Sequence, residues 1–144
     1  MSTIRKMVPV AGLFAVIGGA GYMVAQLGAQ ANVTGNFTNA AVAEIRDAQG
    51  RAVLQGEFAV SPEDDDDIER KATLKPTGLD ADAAGEAEVE WPKAGGPQEI
   101  EFSATGLEPG AKFTCWIDGR EIATVTADTK GKAEVALDVK VSGQ

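Results

Sequence analysis

The chain has no histidine and a single cysteine among its 144 residues, and its 13 Lys and Arg are outnumbered by 22 Asp and Glu. Each scarcity excludes a chemistry. Without histidine there is no Ser-His-Asp or Cys-His nucleophile pair, no HExxH zinc site and no imidazole proton shuttle near neutral pH. One cysteine, Cys115, excludes an internal disulfide, a CxxC redox pair and a zinc ribbon. A net charge of -9 and a pI near 4.4 oppose binding to nucleic-acid phosphates or to anionic membrane surfaces.

What is present begins with an export signal. Arg5 and Lys6 give a short basic start, and an uncharged apolar stretch runs from Met7 to Leu27. Ala29-Gln30-Ala31 then supplies a small-x-small cleavage pattern. Residues 1–31 are therefore expected to be a signal peptide, with an uncleaved membrane anchor as the alternative, since 21 residues at 1.5 Å each reach across about 30 Å of hydrocarbon. In the anchor alternative the only membrane contact is through residues 7–27. Either outcome places the remainder outside the cytoplasm, in the periplasm or the extracellular space. Loss of residues 1–31 removes two bases and no acid, so the exported part carries a net charge of -11. Two N-x-T triplets, at Asn32 and Asn36, open that part and are glycosylation acceptors only in a host that glycosylates.

Beyond a short linker, 32–39, the hydrophobic pattern has period two. Ala133, Val135, Leu137, Val139 and Val141 alternate with Lys132, Glu134, Ala136, Asp138 and Lys140. Similar alternation covers Ala87 to Trp91, Ile100 to Ala104, Ala52 to Val60 and Ala72 to Leu74. Successive strand side chains point to opposite faces, so each run buries one face and wets the other. Asp118-Gly119 between two such runs is a strong hairpin signal, and Pro109-Gly110 and Gly95-Gly96-Pro97 mark further turns. The pattern predicts about eight short strands, near 40–47, 51–60, 68–75, 85–91, 98–105, 111–117, 120–127 and 132–141, and no helix after Ala31. The expected fold is all-β, a single antiparallel β-sandwich over residues 40–144 preceded by the N-terminal signal or anchor helix. A D-x-x-G-x-A-x-[LV] echo at Asp47, Asp82 and Asp128 suggests one turn type used three times.

The order Leu74 and Pro76, Ala84-Gly85-Glu86-Ala87, Glu99-Ile100-Glu101-Phe102 and Thr105-Gly106-Leu107-Glu108-Pro109-Gly110 resembles chordin-type (CHRD) domains of exported bacterial proteins. Those domains continue with a histidine-containing strand, whereas this chain has Ala111 to Ile117 without one, so no histidine ligand role transfers. Leu107-x-Pro109-Gly110-x-x-Phe113 also resembles the corner before a late strand of fibronectin type III domains. Both resemblances imply an extracellular β-sandwich and no reaction.

Candidate sites are few. Glu63-Asp64-Asp65-Asp66-Asp67 places five carboxylates in a row. Their mutual repulsion predicts a solvated loop, and Ca²⁺ binding is the functional alternative because hard cations collect carboxylate oxygens. Asp80-Ala81-Asp82 opens like an EF-hand loop, but the twelfth position holds Trp91 in place of glutamate. Cys115 is expected to be buried and inert, opposite Ile122, with an intermolecular disulfide as the alternative. Trp116 should sit on the other face, opposite Glu121. No catalytic set and no cofactor motif is found. The function expected from the sequence is a non-catalytic binding or structural module of the cell envelope, whose partner is a protein or another envelope component. The alternatives are a Ca²⁺-dependent surface module and a small hydrolase.

Overall fold

A computed structural model describes residues 33–61 and 66–141. The segment expected to be an export signal, the asparagine of the first N-x-T triplet and the acids Glu63, Asp64 and Asp65 lie outside the described residues. Nine strands occur among the described residues: β1 (Val33–Gly35), β2 (Val42–Arg46), β3 (Ala52–Val60), β4 (Asp67–Pro76), β5 (Ala84–Pro92), β6 (Gln98–Thr105), β7 (Lys112–Ile117), β8 (Arg120–Thr126) and β9 (Ala133–Val141). No helix is present among the described residues.

All eight expected strands form, as β2 to β9. Their arrangement differs from two stacked sheets. Hydrogen bonding runs unbroken in the order β1-β9-β6-β5-β4-β3-β2-β7-β8, and the sheet curls until β8 approaches β9, a nearly closed barrel. Period-two burial demands one dry face per strand, and a curled sheet satisfies it as well as two stacked ones do. The dry faces meet in one core that includes Ile45, Leu54, Leu74, Val89, Ile100, Ile117 and Val139, each at most 1% exposed.

Residues 32–39, expected as a linker, supply the ninth strand. β1 pairs parallel with β9, Val33 opposite Val139 and Gly35 opposite Val141, and among the described residues this is the one parallel pairing. Beyond it Phe37 and Ala40 enter the core. Side chains fasten the segment in place. Gln98 Oε1 accepts the Phe37 N–H (2.7 Å), and its amide donates to Thr38 Oγ1 (3.1 Å) and Asn36 Oδ1 (3.3 Å). Arg70 Nε donates to the Ala40 carbonyl (3.1 Å), and Arg120 donates to the Thr34 carbonyl from across the gap between β8 and β1. Directly after Ala40, the Asp118 carboxylate accepts the N–H groups of Ala41 and Val42.

Two of the three D-x-x-G echoes are the same turn. Asp47 Oδ1 accepts from the N–H groups of Gln49 and Arg51, and Asp128 Oδ1 from those of Lys130 and Lys132, while Gly50 and Gly131 follow at φ 83° and 80°. The third does not close this way, because Gly85 already lies in β5 opposite Ala104 and Asp80 takes over the turn, accepting the Asp82 N–H. At Asp128 the backbone N–H groups of Lys132 and Lys130 hold the carboxyl below its ordinary pKa. At Asp47 desolvation opposes ionisation, but the Arg51 N–H, the Arg51 guanidinium and the Gln49 N–H outweigh it, and the pKa again falls.

Strong curvature requires close backbone approach at a few places. At Gly56 in β3 a Cβ would collide with the Thr73 carbonyl oxygen of β4, so only glycine lets the two strands bend together there. Gly56→Ala should therefore destabilise the fold by about 1–3 kcal/mol, measured by chemical denaturation. The turn carboxylates predict an acid dependence of known sign. Their lowered native pKa values give stability that is present above the ordinary value of 3.8 and lost as the pH falls through the native pKa, where the unfolded chain has already taken up the proton. Asp128→Asn should lower the melting temperature at pH 7 and flatten its fall below pH 5, as followed by circular dichroism.

Candidate functional site

Along β4, β5, β6 and β9 the residues between the core positions point outward, and the register lines them up in rows. Glu69 of β4 faces Glu90 of β5, Glu90 faces Glu99 of β6, and Glu99 faces Asp138 of β9. The next row is Lys71, Glu88, Glu101 and Ala136, and the one after it Thr73, Glu86, Ser103 and Glu134. Residues directly opposed in neighbouring strands have Cβ atoms about 5 Å apart, and like charges so placed repel. The first row is thus four carboxylates side by side on a stiff surface. Lys71 lies 3.9 Å from both Glu86 and Glu88 and offsets part of the second and third rows.

The acids of the first row are not uniformly wet. Glu90 is 3% exposed and Glu69 8%, although both lie on the side of the sheet away from the core. Glu69, Glu88 and Glu90 each bring a carboxylate oxygen within 4.8 Å of the other two. Asp67, two residues before Glu69 on the same side of β4, is 4% exposed, and its Oδ2 accepts no hydrogen bond. Carboxylates held this close can collect a hard cation or attract a basic group. A glycosidase pair must flank a sugar ring in a cleft, whereas these side chains stand next to one another on a continuous sheet face.

Of the acidic run, Asp66 is exposed in the bend before β4. Asp67 corrects the expectation of a loop reaching this far: it is the first residue of β4, paired opposite Pro92. The Asp66 carbonyl accepts the Lys93 N–H (2.8 Å) and ties the start of β4 to the end of β5, while the Pro92 carbonyl accepts the Gly95 N–H (3.0 Å) in the turn that follows β5. The EF-hand-like Asp80 and Asp82 form the turn before β5 and bring no ligand set together.

Cys115 lies in β7, fully buried in the core. Burial, followed by the nearby Glu121 carboxylate, pushes its thiol pKa well up, so it stays protonated. Its partner is Ala123 and not Ile122, because a bulge between Cys115 and Trp116 inserts one extra residue into β8. Trp116 faces Glu121 as expected. Its indole Nε1 donates to Thr114 Oγ1 (2.7 Å), and the Arg46 guanidinium stacks 3.9 Å above its ring while paired with Glu44 at 2.6 Å. This cluster already satisfies its own polar groups.

Depressions also lie elsewhere among the described residues. One of about 260 Å³ lies at an end of the barrel between Asp47, Arg51, Leu79, Glu108 and Phe113, where Asp47 and Arg51 are already paired at 2.8 Å. The other, about 500 Å³, lies over Gly56 between Val42, Gln55, Lys75 and Thr77, and the Thr77 hydroxyl donates to the Ala52 carbonyl. Neither brings a nucleophile and a base together.

No protein-family model matches this chain, and no curated protein matches it significantly. The site therefore rests on geometry alone. The burial of Cys115 predicts that the native protein does not react with a thiol reagent such as DTNB, and that one thiol per chain reacts once it is unfolded in denaturant. Fast native labelling would contradict the burial.

Proposed function

We propose that this chain is a non-catalytic exported module of the cell envelope, and that the outer face of β4, β5, β6 and β9 is its binding surface for a cationic partner. The observation that carries this reading is the row Glu69, Glu90, Glu99 and Asp138, four carboxylates set side by side across four strands. Such a row raises the local concentration of positive charge and steers a basic segment toward the face. Export is supported by the basic start, the apolar residues 7–27 and the Ala29-x-Ala31 pattern. The resemblance to chordin-type domains implies an exported β-domain, in keeping with this reading. The partner class is a basic segment of an envelope protein or another cationic envelope component.

The reading is tested by titrating the full chain with a lysine-rich peptide at two salt concentrations. Binding should weaken as salt rises, since exposed charges are screened over about 8–10 Å at physiological ionic strength. The Glu99→Gln, Asp138→Asn double variant should bind roughly twofold to tenfold more weakly. Glu121→Gln, an exposed acid on β8, should change nothing. Affinity that ignores both salt and the double variant removes the acidic face as the binding surface.

A further inference from the structure

We propose that this chain is a load-bearing tether, and that the parallel pair β1–β9 is the clamp that resists tension between its two ends. The inference goes beyond the acidic-face reading and does not rest on it. It takes residues 7–27 as an uncleaved membrane anchor, the arrangement in which a load reaches the start of the barrel.

Strand direction carries the argument. The rest of the chain joins the barrel at Val33 of β1 and at Val141 of β9. These two strands are direct neighbours and run parallel, Val33 opposite Val139, Thr34 opposite Lys140 and Gly35 opposite Val141. Tension on the ends draws β1 back toward its start and β9 on toward its end, so the strands are pulled past each other. Ladder hydrogen bonds run across the strands. Under such a load the bonds of the pair share the force and must fail together. An antiparallel β1 would bring its loaded end beside the loaded end of β9, and the same tension would peel its bonds away one at a time. Every other pairing among the described residues is antiparallel. The exception falls between the two strands that receive the load.

The ladder is short, and side chains reinforce it along the same path. Arg120 of β8 donates to the Thr34 carbonyl, so β1 is held on both of its edges. Gln98 of β6 accepts the Phe37 N–H at 2.7 Å, and Arg70 of β4 donates to the Ala40 carbonyl at 3.1 Å. Phe37 and Ala40 are themselves buried in the core. Force entering at Val33 is thus handed to β9, β8, β6 and β4 before it reaches β2. Gln98 also lies opposite Val139 in the ladder that fixes β9 to β6, so one residue braces both strands of the clamp.

The test stretches the full chain in optical tweezers, with handles on Asn32→Cys and Gln144→Cys. Cys115 is buried and stays unlabelled. The reference geometry places handles on Lys112→Cys and Thr126→Cys, which are opposed at the open end of the β7–β8 hairpin and peel it apart. End-to-end loading should require the higher force. At constant load, Arg120→Ala should speed end-to-end unfolding about fivefold through loss of its bond to β1, and should leave the peeling geometry unchanged. Thr34→Pro, which disrupts pairing in β1, should bring the end-to-end force down to the peeling force.

The proposal falls if end-to-end loading needs no more force than peeling. It falls if neither variant changes end-to-end unfolding, or if both speed the two geometries alike, which would be a general loss of stability. Mass spectrometry of the chain recovered from the envelope tests the tether role: intact residues 7–27 support it, and a chain that starts at Asn32 overturns it, because nothing then pulls on β1.

Discussion

A sheet that curls to bury one face must still end in two edges, and the seam between those edges governs this molecule. Here the edges are β1 and β8. No continuous ladder joins them, so side chains close the gap: Arg120 reaches from the start of β8 to the Thr34 carbonyl of β1, and its guanidinium lies 5.5 Å from the centre of the Phe37 ring. Asp118, at the tip of the β7–β8 hairpin, holds the N–H groups of Ala41 and Val42 from the same side. The left-handed backbone at Asp118 (φ 50°) and Gly119 (φ 80°) is what turns the hairpin so that this carboxylate meets the incoming chain. One residue thus shapes a turn and anchors a segment far away in sequence. Without closure, the dry faces of β7, β8 and β9 would be open to water, and the core depends on excluding it.

The same alternation that fills the inside dictates the outside. Once Ala87, Val89, Ile100, Phe102, Val135 and Leu137 are committed inward, their neighbours have nowhere to go but outward. In β4, β5, β6 and β9 most of those neighbours are acids. A loop carrying as many carboxylates could spread them apart, but a hydrogen-bonded sheet cannot, so repulsion is built into the surface by the backbone. That rigidity separates this face from the acidic run before β4: the run has more charge per residue, while the face has charge at fixed spacing.

Much of the architecture is legible in the sequence alone. The alternation from Ala133 to Val141 and the Asp118-Gly119 turn located strands and a hairpin correctly because both signals are local. What was missed is non-local. Val33–Gly35 is too short to show a period and pairs in parallel with a strand at the other end of the chain, a partnership that no neighbouring residue announces. The bulge that sets Cys115 opposite Ala123 depends on fitting both Ile122 and Ala123 into the core, a packing matter. The third Asp turn failed because Gly85 is claimed by pairing with Ala104. The acids of the candidate site were visible as outward positions of single strands. Their meeting in one row requires the order β9-β6-β5-β4 and its register, and period two says nothing about which strands are neighbours. Asp67 reads with the loop before it because a run of identical residues hides the point where a strand begins.

The pairing of β1 with β9 has a consequence for the order in which the molecule can assemble. Val33 has no partner until Val139 exists, so the strand nearest the start of the described chain waits for the last strand to be made and placed. Contacts between distant parts of a chain are slow to form because a long loop must close first. A partly synthesised chain lacks β9, and with it the surface on which β6 rests and the far side of the seam. It would remain open, which is the condition a polypeptide must keep if it is to be threaded across a membrane before folding.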